Sequence, residues 1–82
     1  MFKLAAWMPG TEMFAAERTA DGAQGVYDAL TGIFSPVNVK HFIASATSKH
    51  YYEPIAPVVI GTKEDAIAVI QKLKSHGSYH GS

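Results

Sequence analysis

The chain has 82 residues, 48% of them apolar and 17% charged, with seven basic and seven acidic side chains and no cysteine. That balance is too apolar for a disordered chain, and its size fits one small domain. It excludes disulfides and thiolate metal sites, and it lacks the basic excess that neutralising phosphates or an anionic membrane requires.

The opening FKLAAWM alternates, which predicts a strand. Phe2, Leu4, Ala6 and Met8 make its more apolar face, so they are expected to meet the core. Lys3, Ala5 and Trp7 then fall on the other face. Pro9-Gly10 is a type II turn pair, because proline sets the first central φ and glycine takes the positive φ of the second. MFAAERT reads as the return strand, joined through a loop of about four residues.

In DGAQGVYDALTG, Asp21 is a candidate N-cap, with Gln24 three residues on as in a capping box. Ala23, Val26, Tyr27 and Leu30 fall on one helical face, and Gly32 suits the residue after a helix end. The pattern predicts a first helix from Asp21 to about residue 31. Gly22 and Gly25 weaken it by about 1 kcal/mol each relative to alanine.

VNVKHFIASAT and YYEPIAPVVIG read as two further strands, with Thr47 to His50 as the turn between them. Pro54 and Pro57 each remove a backbone donor, which places the second run at a sheet edge. A second helix follows. Thr62 caps it, Glu64 and Asp65 suit its positive end, and Ala66, Val69, Ile70 and Leu73 form a stripe that Ile67 widens. Lys72 and Lys74 suit its negative end, and Gly77 stops it. The tail HGSYHGS is expected to fray.

The expected fold is therefore α+β: a four-stranded antiparallel sheet of two hairpins, with two helices on one face (ββαββα). The alternative is a three-stranded βαββα arrangement in which residues 13–20 are loop. One domain spans 1–76, with 77–82 as tail.

Catalytic chemistry has few footholds. The glycines match no phosphate-binding loop. Most carboxylates have helix-start, turn or solvent-facing roles, and Glu53 alone sits in a distinctive setting, beside Tyr51, Tyr52 and Pro54. His76 and His80 have an i, i+4 spacing but lie across Gly77, so no helix holds them. His41 and His50 lack a third metal ligand at a dictated spacing. No enzyme activity, cofactor or metal is expected.

The candidate partner-binding residues are aromatic and basic. Tyr51 and Tyr52 are neighbours and so point to opposite faces of a strand, one toward the core and one outward. With Lys49 and His50 they form one candidate patch. Lys3, Trp7, Lys40 and Phe42 form another on the open sheet face. Such sets suit a protein interface with an aromatic centre and charged rim. The competing reading makes Trp7 and the tyrosines ordinary core. The expected function is a small non-enzymatic protein-binding module. It would be a regulator or inhibitor of a larger assembly, of the kind a phage can encode, docking on a protein partner or on a second copy to give a homodimer. The alternative is a single-stranded nucleic-acid binder using the same lysines and aromatics, which the neutral charge disfavours. No stretch approaches the length of an apolar membrane span, and a cytoplasmic location is the expectation.

Overall fold

The computed structural model describes residues 1–38 and 52–76. Five strands form one antiparallel sheet: β1 (Phe2–Trp7), β2 (Met13–Arg18), β3 (Gln24–Asp28), β4 (Ile33–Pro36) and β5 (Glu53–Ile60). The helix α1 (Lys63–His76) follows β5. The strand order is β4-β3-β2-β1-β5, so a four-strand meander receives β5 on its free side, beside β1. This corrects both expected arrangements. The sheet has five strands, residues 13–18 are a strand, and the described residues contain one helix. Lys40, Phe42 and the rest of the expected third strand beyond residue 38, with the turn at 47–50 and the tail at 77–82, lie outside the described residues.

The first hairpin forms where the alternation and the Pro-Gly pair place it. Met8 N–H bonds the Met13 carbonyl at 3.0 Å and Thr11 N–H bonds the Met8 carbonyl at 3.1 Å. Gly10 takes φ 86°, the positive value that the second turn position requires. Thr11 locks the loop: its hydroxyl donates to the Met8 carbonyl at 2.8 Å and accepts the Met13 N–H at 3.1 Å.

The segment expected as a first helix is instead a hairpin. Two loops of one design flank β3. Gly22 N–H bonds the Arg18 carbonyl at 2.8 Å, and Gly32 N–H bonds the Asp28 carbonyl at 2.7 Å. Each is an i to i+4 bond, a single helical turn, ended by a glycine at φ 73° or 75°. The helix signals were therefore local truths. Asp21 does hold a following N–H, its carboxylate accepting that of Ala23 at 3.1 Å, but as a two-residue turn and not as a helix cap. Gly32 does end a turn. The turns simply do not propagate, because Val26 and Tyr27 are both buried, on opposite faces of a strand.

Gly25 shows why β3 suits this place. It pairs with Ala16 on one side and Pro36 on the other. A Cβ there would meet the Phe34 ring at 2.7 Å and the Pro36 Cα at 2.9 Å. The missing side chain lets the Phe34 ring cross β3 and stack on Phe2, at 5.1 Å between centroids. Arg18 lies over the other reach of that ring, its guanidinium 5.1 Å from the centroid.

The helix forms as its caps predict. Thr62 Oγ1 accepts the Asp65 N–H at 3.2 Å, and Asp65 accepts the N–H groups of Gly61 and Thr62 at 3.0 and 3.1 Å. This is a reciprocal capping box. Ala66 and Ile70 enter the core with Leu4, Trp7, Phe14, Ala16, Tyr27 and Ile60 from the sheet. Ile67, Val69 and Leu73 pack alongside.

Candidate binding groove

The expected aromatic surface divides once the register of β1 is known. Lys3 pairs with Glu17 and Leu4 with Ala16, but Ala6 then pairs with Ala15 and Trp7 with Phe14. A bulge between Leu4 and Ala6 shifts the count by one residue. A one-residue shift exchanges the faces of a strand, so Trp7 turns inward. It is 1% exposed, and its indole N–H donates to the Thr11 carbonyl at 2.8 Å. The expectation of Trp7 on the open face is thus corrected: it is core. Tyr52 is also core, at 4% exposed, with its phenol pKa raised by burial. Lys49, His50 and Tyr51 lie outside the described residues, as do Lys40 and Phe42.

Lys3 does stand on the open face, its side chain 46% exposed and 3.7 Å from the Glu17 carboxylate. Around it lies a shallow depression floored by Ala5 and Ala15 and edged by Glu17 and Gln24. It joins one cation to one carboxylate over small side chains, with no aromatic side chain among the described residues that line it. Glu53 starts β5 opposite Trp7. Among the described residues no three His, Cys, Asp or Glu side chains cluster as a metal site would require. No helix among them is long and apolar enough to cross a membrane.

A different site emerges on the other side of the molecule. β5 is an edge strand; among the described residues it pairs with β1 alone. The chain turns at Gly61-Thr62 and α1 runs back along β5. Between them lies a groove of about 320 Å³, lined by Ile55, Ala56, Pro57 and Val58 from the strand and by Ala68, Val69, Lys72 and Leu73 from the helix. The helix residues come as two adjacent pairs four apart, one stripe rotated from the Ala66/Ile70 stripe that enters the core. Val69 and Leu73 are half-buried and wall the groove, while Ala68 and Lys72 are exposed at its rim. Seven of these eight side chains are apolar, and Lys72 is the one charged group among the described residues of the groove.

The sequence carried a signal for this groove that periodicity alone passed over. The apolar stripe of α1 is wider than one sheet face needs, since Ala68 extends it toward solvent. Pro54 and Pro57 mark the edge strand that the extension overlooks.

No protein-family model, curated protein or solved structure matches this chain.

Proposed function

We propose that the protein is a small non-enzymatic binding module that docks a segment of a protein partner in the groove between β5 and α1. The observation that carries this reading is the groove itself, apolar on both walls, open along a sheet edge and bearing one cation at its rim. Ligand sites are typically concave and mostly apolar, with few polar groups that fix orientation. The volume admits one or two large side chains, which is the scale of an anchor residue in a recognition pocket. The open sheet face is the weaker candidate, because Trp7, one of its two expected aromatic residues, is in the core.

Selection of a displayed random-peptide library against the immobilised protein tests the reading. Selected binders are expected to lose at least tenfold in affinity to Ala68→Glu, which puts a charge into the groove from an exposed helix position. They should be unchanged by Glu17→Ala on the open face. Loss with Glu17→Ala and indifference to Ala68→Glu would move the site to the sheet.

A further inference from the structure

Resting on that reading, we infer that the occupant is an amphipathic helix of the partner, with an acidic side chain set against Lys72, and not an added strand.

The argument starts at the backbone of β5. Strand addition obtains its affinity from main-chain hydrogen bonds along an exposed edge. Two of the residues of β5, Pro54 and Pro57, have no N–H to give. Pro57 is exposed, lies in the groove wall and falls between Pro54 and Val58, where the pairing of β5 with β1 is irregular, so this stretch is not the regular template that an added strand extends. A proline-bearing edge is a common device against pairing. A helix carries its backbone hydrogen bonds within itself and asks nothing of the edge.

The walls suit a helix in a second way. Ala56 and Ala68, one on each side, are small and exposed, so a helix backbone can descend between them. Helices pack at axis separations of roughly 8–10 Å, with the short side chains at the contact setting the closer end. Val58, Val69 and Leu73 then receive the apolar side chains of one face, at i, i+3, i+4 and i+7 spacing. Lys72 follows Ala68 by one helical turn, so it stands at the rim just beyond the point of closest approach. Among the described residues no carboxylate lines the groove, which makes an acidic residue on the partner helix the complementary group.

Two displayed libraries separate the possibilities. One presents 14-residue amphipathic helices on a helical scaffold, and the other presents unconstrained peptides rich in β-branched residues. Each is selected against the unmodified protein, Ala68→Glu and Lys72→Glu. Circular dichroism and a melting curve confirm that both variants, changed at exposed positions, stay folded. The expected result is enrichment of the helical library alone, with an acidic residue at one fixed position. Those binders should weaken at least tenfold with Lys72→Glu, which should in turn select a basic residue there. Enrichment of the extended library alone, sensitive to Ala68→Glu, would overturn the helical occupant and leave the groove standing as the site. Helical binders without a fixed acidic position, unaffected by Lys72→Glu, would overturn the role of Lys72. Binders from neither library, or binders indifferent to Ala68→Glu, would overturn both the occupant and the groove.

Discussion

At the scale of single residues, the bulge in β1 decides what Trp7 does. An indole that would anchor a surface instead fills the core between Leu4 and Phe14, with its N–H satisfied by Thr11. Trp7→Ala should cost about 3–5 kcal/mol, through lost burial and an unfilled cavity. A domain of this size has a total of roughly 4–12 kcal/mol. Urea denaturation should therefore find the midpoint moved far toward zero denaturant, whereas an exposed tryptophan would leave it nearly unmoved. Lys3→Ala should shift stability by less than about 1 kcal/mol, because its ion pair with Glu17 is half in solvent. Gly25→Ala should act like an overpacked core position and cost about 1–3 kcal/mol, since the new Cβ meets the Phe34 ring and the β4 backbone. A crystal structure or NOE pattern of that variant should show Phe34 displaced from Phe2. None of these three outcomes could be read from composition. The alternation in FKLAAWM was legible, but a bulge is an added residue in the pairing, and it leaves no mark in the hydrophobic pattern of its own strand.

At the scale of elements, the capping of α1 ties helix stability to acid. The N–H groups of Gly61 and Thr62 hold the Asp65 carboxyl below its ordinary pKa. Asp21 is lowered too, first by its hydrogen bond from Arg18 and then by the Ala23 N–H. A carboxyl whose folded pKa is depressed contributes stability that is present above its unfolded value, near pH 4, and is lost as pH falls through the folded value. Melting temperature should hold steady near neutrality and decline below about pH 4. Asp65→Asn should flatten part of that decline, which a series of melts between pH 2 and 7 would read. Thr62→Ala should lose about 1 kcal/mol at every pH, the ordinary cost of an N-cap hydroxyl. The cap residues of this helix, and Ala66 and Ile70 of its core stripe, were legible because an amphipathic segment of 14 residues is longer than any strand of this sheet. β3 and β4 were not. Their loops are one-turn helices closed by glycine, so the chain between them showed a cap, a stop and a helical spacing without being a helix. Only the packing of Val26 and Tyr27 on opposite faces distinguishes the two, and that depends on pairing with β2 before it and β4 after it.

At the scale of the whole molecule, the order of strands sets which parts are held from both sides. β1, β2 and β3 lie inside the sheet with two neighbours each, and for β3 one of the two is the short edge strand β4. Amide hydrogen exchange should be slowest in β1 and β2, where opening requires loss of the core, and fastest in β4, which pairs through four residues. The groove, too, belongs to this scale. It exists because α1 doubles back along an edge strand, and no local window of sequence contains both of its walls. Binding there should leave the protection of β2 and β3 unchanged and slow exchange in β5 and α1, which a comparison with and without a selected helical binder would show.

The late arrival of β5 has a consequence for how the chain is made. The meander from β1 to β4 is complete by Pro36, and every pairing in it joins neighbours in sequence. The partner that closes β1 on its other side is not finished until Ile60. At the usual rate of about 5–20 residues per second, synthesis leaves that interval open for roughly one to five seconds. During it, Leu4 and Trp7 lack their cover from β5 and α1, and β1 offers an unpaired edge without a proline in it. A ribosome-bound chain ending at Pro36 should therefore recruit holdase chaperones, and one extended through α1 by a linker should release them. The prolines that protect the finished edge in β5 do nothing for the unfinished one, so for this protein the hazardous edge is a temporary one.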